Sequence, residues 1–355
     1  MTFDRIIYIE EILYIYIKIE VMQAILETSD SKFILLQEIG YGGTCSVYIG
    51  YSTNDNPHNL VAIKIFKEHN KKYFEKEISI NNILLSKHFL SVINYGSGFI
   101  YQINNNSSNL VELNNIDNCS HKINNKVFYK IEELAENGEL FNYVYECKKG
   151  FLENISAKIF IKILETVKIM HENNVIHGDI KPENVLLDKN FNVKLIDFGF
   201  SSIIKDKNNS FINIVEGSDT YSAPERKKAS IAGYDGIKSD IFSLGVLLFV
   251  ITVGRFPFNV CGYSDKKYRL IMTKNYDIYW ANYDKYNLSK EFKDLINKLV
   301  CFDPKERLSI DKILEHPWIK NNINSNELNI NEFKMNEDVV NELKLRKYSF
   351  EKKTN

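Results

Sequence analysis

His177-Gly178-Asp179-Ile180-Lys181-Pro182-Glu183-Asn184-Val185-Leu186-Leu187, followed by Asp197-Phe198-Gly199, is the stretch on which the reading of this chain turns. An Asp, a Lys two residues on and an Asn three further share one loop. A second Asp follows a short apolar run at 193–196. Phosphoryl transfer calls for such a set: one carboxylate to orient an attacking hydroxyl, and an amide oxygen and a second carboxylate to hold Mg²⁺ on a nucleotide.

The stretch resembles the catalytic loop and Asp-Phe-Gly motif of the eukaryotic protein kinases. The resemblance implies an α+β, bilobal fold with a small β-rich N-lobe and a larger helical C-lobe. It implies transfer of the ATP γ-phosphate to Ser/Thr hydroxyls of protein substrates, with ATP and Mg²⁺ as cofactors and Mn²⁺ as an alternative. In that reading Asp179 orients the hydroxyl and accepts its proton, Lys181 stabilises the transferred phosphoryl group, and Asn184 and Asp197 hold the metal. His177 and Phe198 stack, and Asp240 anchors the loop from below.

Upstream, Ile39-Gly40-Tyr41-Gly42-Gly43-Thr44-Cys45-Ser46-Val47 lies between two expected strands. Glycines let a backbone approach phosphates with no Cβ in the way. The run resembles the kinase glycine-rich loop, which makes Ile39, Gly40, Gly42, Gly43 and Val47 expected nucleotide contacts. Cys45 takes the third glycine position, either for its small size or as a reactive thiol. Val61-Ala62-Ile63-Lys64 resembles the strand whose lysine pairs with the α- and β-phosphates, Ala62 lying against the nucleotide. Lys64 needs a carboxylate from the next helix. Glu77 fits that helix's apolar pattern, and Glu75 is the rival. Asn81 falls where an apolar spine residue is expected.

Glu133-Leu134-Ala135 resembles the hinge, with Glu133 and Ala135 facing adenine, and with Glu139 and Leu186 as further contacts. Glu132 then holds the gatekeeper position, usually apolar or Thr. A buried carboxylate there costs several kcal/mol unless paired. Either the register shifts by one or Glu132 has a partner, for which the neighbouring helix is a candidate.

Lys181 within Asp-Ile-Lys-Pro-Glu-Asn resembles the Ser/Thr class. Gly217-Ser218-Asp219-Thr220-Tyr221-Ser222-Ala223-Pro224-Glu225 resembles the peptide platform, with Ser218 replacing a Thr that bonds the catalytic Asp and Lys. Glu225 is expected to pair with Arg307. Val253-Gly254-Arg255-Phe256-Pro257-Phe258 resembles the calcium/calmodulin-dependent kinase group. Glu139 and Glu183 resemble residues that face an upstream basic residue in a substrate, while Val250 stands where such kinases often carry Glu. Arg346-Lys347-Tyr348-Ser349 makes Ser349 a candidate autophosphorylation site, or an unstructured bystander. Gly178 departs from the pattern: regulated kinases carry Arg there, which clamps a phosphorylated activation loop. The loop offers Ser201, Ser202, Ser210 and Ser218.

The chain has 355 residues, 44% hydrophobic and 26% charged, with a net charge of −1. No global field favours nucleic acid or an anionic membrane. Cys45, Cys119, Cys147, Cys261 and Cys301 are scattered, without a CxxC, which argues against a disulfide framework or zinc site and for a reducing cytoplasm or nucleus. The apolar run 6–25 is interrupted by Glu10, Glu11, Lys18 and Glu20, so no membrane span is expected, and a signal peptide would begin basic. Its alternation at 12–19 fits an accessory strand, a helix being the other reading; Met22 is an alternative start.

The expected domains are an extension at 1–32, a kinase domain at 33–319 and a tail at 320–355. The N-lobe runs to about 135 with an Asn-rich insertion at 102–125, and the C-lobe follows at 136–319. Strands are expected at 33–39, 46–51, 60–66, 91–101 and 127–134, and helices at 71–87, 139–145, 156–173, 239–253, 289–300 and 309–314. A monomer is expected. A pseudokinase would need the loss of Lys64, Asp179 or Asp197, and a small-molecule kinase would lack the Ala-Pro-Glu platform; the chain has all of them.

Overall fold

The computed structural model describes residues 24–55, 59–102, 126–205, 210–213, 218–228, 233–323 and 335–354. The alternating run 12–19, Met22, Cys119, Gly217 and residues 103–125 of the Asn-rich insertion lie outside the described residues. The chain divides into two compact units: Met1–Asn81 with Leu90–Leu134, and Asn82–Phe89 with Ala135–Asn355.

The first unit is a closed barrel of β1 (Ala24–Glu27), β2 (Lys32–Tyr41), β3 (Cys45–Ser52), β4 (Val61–Lys67), β5 (Val92–Gln102) and β6 (Lys126–Glu133), with helix α1 (Lys71–Ile83) between β4 and β5. The strand order is β1-β2-β3-β4-β6-β5, and β1 pairs with both β2 and β5. β1 lies within the expected extension at 1–32, and its Ile25 and Leu26 are buried. Gly98 makes the closure possible: a Cβ there would stand 2.4 Å from the carbonyl oxygen of Glu27.

Strand side chains alternate between faces. Ile63 and Ile65 of β4 and Val127, Tyr129 and Ile131 of β6 fill the barrel with Leu26, Phe33 and Leu35. Phe66 and Phe128, on the opposite face, meet Phe74 and Ile78 of α1. The alternation puts Lys64, Lys130 and Glu132 on the α1 face as well. Helix α1 stops at Ile83, short of the expected 87, because Ser86 takes the chain into a local turn, its hydroxyl accepting the His88 N–H at 3.3 Å.

In the second unit, α2 (Leu140–Tyr145) and α3 (Glu153–Glu172) precede β7 (Val175–Ile176) and the hairpin of β8 (Val185–Leu187) with β9 (Val193–Leu195). Short strands β10 (Ser202–Ile203), β11 (Phe211–Ile212) and β12 (Tyr234–Asp235) lead into α4 (Gly236–Val253). Asp235 caps α4 by accepting from the Lys238 N–H, and Gly254 ends it in a left-handed conformation, φ 75°. This helix alone among the described ones is long and apolar enough to cross a membrane. Its apolar window is 89% buried in the unit, as befits a core helix.

Helices α5 (Lys266–Met272), α6 (Tyr276–Ala281), α7 (Lys290–Leu299), α8 (Ile310–Leu314), α9 (Pro317–Asn322) and α10 (Glu337–Thr354) follow. Sequence periodicity missed α5, α6, α9 and α10. The tail is a docked helix, so the bystander reading of Ser349 is corrected. Arg346, 7% exposed, donates to the carbonyl oxygens of Tyr143, Lys149 and Gly150 at 2.9, 2.7 and 2.8 Å and lies over the Phe151 ring. Its guanidinium is spent on α10 docking.

Candidate functional site

In the first unit the glycine-rich turn is held by the Gly42 N–H donating to the Cys45 carbonyl at 2.9 Å, with Gly40 paired across from Val47. Ile39 is largely exposed, Gly43 has open space around it, and Ala62 is buried. Cys45 rests against the Phe66–Phe74–Ile78–Phe128 cluster, a packing role that accounts for its small, apolar side chain.

Lys64 donates to Glu77 Oε1 at 2.5 Å, whereas Glu75 pairs on the surface with Lys71. Glu77 also meets Lys130 at 3.2 Å, and Lys130 meets Glu132 at 2.7 Å and Asn81 at 3.5 Å. All five residues are less than 9% exposed. The gatekeeper question therefore resolves in favour of a partner. β6 pairs Glu132 with Ala62 and Lys130 with Lys64, and the partner of Glu132 comes from its own strand rather than from α1. Burial pulls the Lys130 ammonium toward neutrality, but the carboxylates of Glu132 and Glu77 outweigh it and hold its pKa above the ordinary lysine value. Lys130 escaped the sequence reading. Phe128, Lys130 and Glu132 at every second position were the available signal, since they must share a face. Glu133 ends β6, its N–H donating to the Ser91 carbonyl at 3.0 Å.

In the second unit Ala135 is buried and its carbonyl accepts from the Gly138 N–H. Glu139 stands just before α2 in an extended conformation, with no side-chain capping bond, and bridges to Leu186 of β8. Asp240, completely buried, accepts from the backbone N–H groups of His177 and Gly178 at 2.9 and 3.0 Å and faces His171 at 2.9 Å. The rings of His177 and Phe198 meet edge-on at 5.8 Å, and Phe89 closes on Phe198 at 5.9 Å.

Asp179 sits at the centre of a small network. Lys181 Nζ lies 2.7 Å from Oδ2, the Ser218 N–H donates to Oδ1 at 2.9 Å, and the Asn184 amide donates to Oδ2 at 3.1 Å. Lys181 also donates to Ser218 Oγ at 2.8 Å, so Ser218 bridges Lys181 and Asp179. Burial alone would raise the Asp179 pKa; Lys181 and Ser218 more than offset it and hold the carboxyl below its usual range. It is therefore charged and able to accept a hydrogen bond from a hydroxyl at neutral pH. Arg307 grips Glu225 through two parallel bonds, 2.5 and 2.8 Å.

Asn184 directs its NH₂ at Asp179, and its backbone carbonyl accepts from the Ile196 N–H at 3.0 Å, next to Asp197. Asp197 is left-handed, φ 65°, and accepts from the Gly199 N–H. An amide oxygen and a carboxylate are hard donors that suit Mg²⁺, which takes one or two protein oxygens and completes its shell with phosphate and water. Three of the four activation-loop serines are engaged. Ser201 is buried and donates to the His177 carbonyl, Ser210 donates to Asp235, and Ser218 receives from Lys181.

Residues 33–319 match the family described as "Protein kinase domain". The chain is 34% identical over 203 residues to serine/threonine-protein kinase kin-29 of Caenorhabditis elegans, covering 57% of this chain and 23% of that protein. It is 30% identical over 296 residues to CBL-interacting protein kinase 26 of Oryza sativa subsp. japonica, covering 83% and 53%. It is 36% identical over 199 residues to SNF1-related protein kinase catalytic subunit alpha KIN12 of Arabidopsis thaliana, covering 55% and 37%. The matches thus span about a quarter to about half of these relatives. They are of the kind that the 253–258 segment resembles.

Proposed function

The chain belongs to the protein kinase family, and from that premise we propose that it is a serine/threonine protein kinase that moves the γ-phosphate of ATP to hydroxyls of protein substrates. The observation that carries the reading is the Asp179–Lys181–Ser218 network, a charged carboxylate with a cation beside it on the segment that leads into the peptide platform. Asp179 orients the acceptor hydroxyl and takes its proton, and Lys181 compensates charge on the phosphoryl oxygens. Lys64, fixed by Glu77, pairs with the nucleotide phosphates. Mg²⁺ would be held by Asn184 and Asp197 and would neutralise phosphate charge.

Substrates carrying a basic residue before the acceptor suit Glu139 and Glu183. Burial first, then their mutual repulsion, raises the pKa of Glu139. Burial also raises that of Glu183, one oxygen of which is buried without a hydrogen bond among the described residues. A substrate cation would relieve both. Val250, apolar and buried, adds no third charge, so the preference is weak. A monomer in the cytoplasm completes the proposal; the cytoplasm rests on scattered cysteines without a CxxC.

The test is transfer of labelled γ-phosphate to a degenerate peptide array, with Asp179→Asn as the blank. Transfer above the blank with gain from upstream Arg is expected. No transfer would sink the kinase reading, and acid- or proline-directed selection would sink the substrate reading.

A further inference from the structure

Arg226 follows directly on the Ala223-Pro224-Glu225 platform and is 2% exposed, among the largest wholly enclosed side chains of the described residues. Its Nη1 donates to the carbonyl oxygen of Gly178 at 2.6 Å, and its guanidinium lies 5.7 Å from the centre of the buried Tyr234 ring. Enclosing a guanidinium costs free energy that an apolar side chain of similar volume would not. The bond it makes falls on the residue just before Asp179.

The backbone around that bond is saturated. The His177 and Gly178 N–H groups donate to Asp240, and the His177 carbonyl accepts from Ser201 Oγ. The Asp179 N–H donates to the His177 ring, and the Asp179 carbonyl accepts from Asn184. Gly178 is thus gripped on both sides, its N–H by a buried carboxylate and its C=O by a buried guanidinium. Gly178 is left-handed, φ 79°, and a Cβ there would stand 2.7 Å from the Phe200 carbonyl oxygen.

We propose that Arg226 is the positioning residue of the catalytic loop, fixing Asp179 from within through the Gly178 carbonyl, so that no phosphate on the activation segment is needed to set the loop. The inference rests on the kinase reading above and deepens it. The chain has lost the loop arginine that reaches outward for a phosphate, and it supplies a guanidinium from the end of the same segment that reaches inward to the loop's backbone. Enclosed and committed to a carbonyl, Arg226 is not open to a phosphate. The consequence is a loop whose geometry is built into the fold.

The experiment compares wild type, Arg226→Met, Arg226→Lys and Asp179→Asn in two assays: steady-state phosphorylation of a peptide substrate, and amide hydrogen exchange. Arg226→Met lowers kcat by about 100-fold, the scale of a misplacement near 1 Å, and leaves KM for ATP within about twofold. Arg226→Lys, which keeps a charged donor, recovers about tenfold of that loss. Exchange at amides 178–180 rises in Arg226→Met while the α4 core stays protected. An unchanged kcat with unchanged exchange overturns the proposal. So does exchange rising equally in α4, which would make Arg226 a general scaffold residue. If wild type transfers no phosphate, the kinase reading fails by itself, and the exchange comparison alone decides whether Arg226 holds the loop.

Discussion

Replacing Lys130 by Met tests whether the seat of α1 is held by an ion network rather than by apolar packing. Lys64 and Lys130 carry two positive charges, Glu77 and Glu132 two negative ones, so the buried set is neutral. Lys130→Met leaves one carboxylate in excess at a site where Glu77 is 1% and Glu132 8% exposed. Removing one member of a buried pair costs about 3–5 kcal/mol, because the partner keeps its desolvation penalty without its compensation. Glu132→Met strands Lys130 in the opposite sense and costs a similar amount. The double variant is neutral again and leaves Lys64–Glu77 whole. It should lie within about 1 kcal/mol of wild type, or above it, since well-packed apolar replacements of buried ion pairs are often neutral or stabilising. The coupling between the two sites is then at least about 5 kcal/mol in a double-mutant cycle. The assay is urea unfolding of all four proteins, with amide exchange in β4 and β6 isolating the barrel's own opening from that of the second unit. A coupling below about 0.5 kcal/mol, with the double variant carrying the sum of both losses, would refute the reasoning.

Lys64→Met should abolish phosphoryl transfer with the fold intact; wild-type-like turnover would rule out its assignment. Phosphatase treatment should leave activity unchanged, because Ser201, Ser210 and Ser218 are tied to His177, Asp235 and Lys181. Most of the activity lost, then restored by a phosphomimetic at Ser202 or Ser210, would contradict this. His88 is pushed down to about 4 by burial first and then by Lys162, Lys87 and Lys194. Folding thus favours its neutral form, so its contribution is complete above about pH 6.5 and is lost as pH falls toward 4. After allowance for solvent screening of a half-buried ring, that is about 1–2 kcal/mol, and His88→Gln should flatten stability across this window. Arg346→Met forfeits three carbonyl bonds and should cost about 3 kcal/mol locally, read as fast amide exchange along α10. Unaltered protection of that helix would show that Val339 and Leu343 dock it unaided.

The residues proposed for the chemistry were legible because their spacing is rigid. Asp179, Lys181, Asn184 and Asp197 lie on short connections whose length cannot vary without misplacing them, and the loop motif names them directly. Barrel strands were legible from their alternation, and α3 and α4 from their length. What escaped depends on partners distant in sequence. Lys130 reads as a surface lysine until β4 and α1 are brought over it, and Arg226 as one of a basic run, Arg226-Lys227-Lys228, until Gly178 lies against it. Helix α10 has a charged, weakly periodic sequence that says nothing of docking. Its anchor is an arginine whose targets, 143 to 150, are carbonyl oxygens and so leave no trace in side-chain identity. The signal before Ser349 has the same limit: an Arg three residues before a Ser looks like a recognition signal, and Arg346 is already occupied.

The first strand has a consequence for any shortened form of the chain. β1 meets β2 through the pairs Ala24–Leu35 to Glu27–Lys32, and β5 through Ala24–Gln102 to Glu27–Phe99. A polypeptide trimmed to the family boundary at 33 would retain the groups of the catalytic machinery but lose this strand. Two rims of unsatisfied N–H and C=O groups would then open at once, beside Phe33 and Leu35 stripped of the cover of Leu26. Such a rim is a template for a foreign strand, and two trimmed molecules would find in each other what each has lost. Solubility on shortening is therefore governed by residues 24–27, upstream of every motif the chemistry uses.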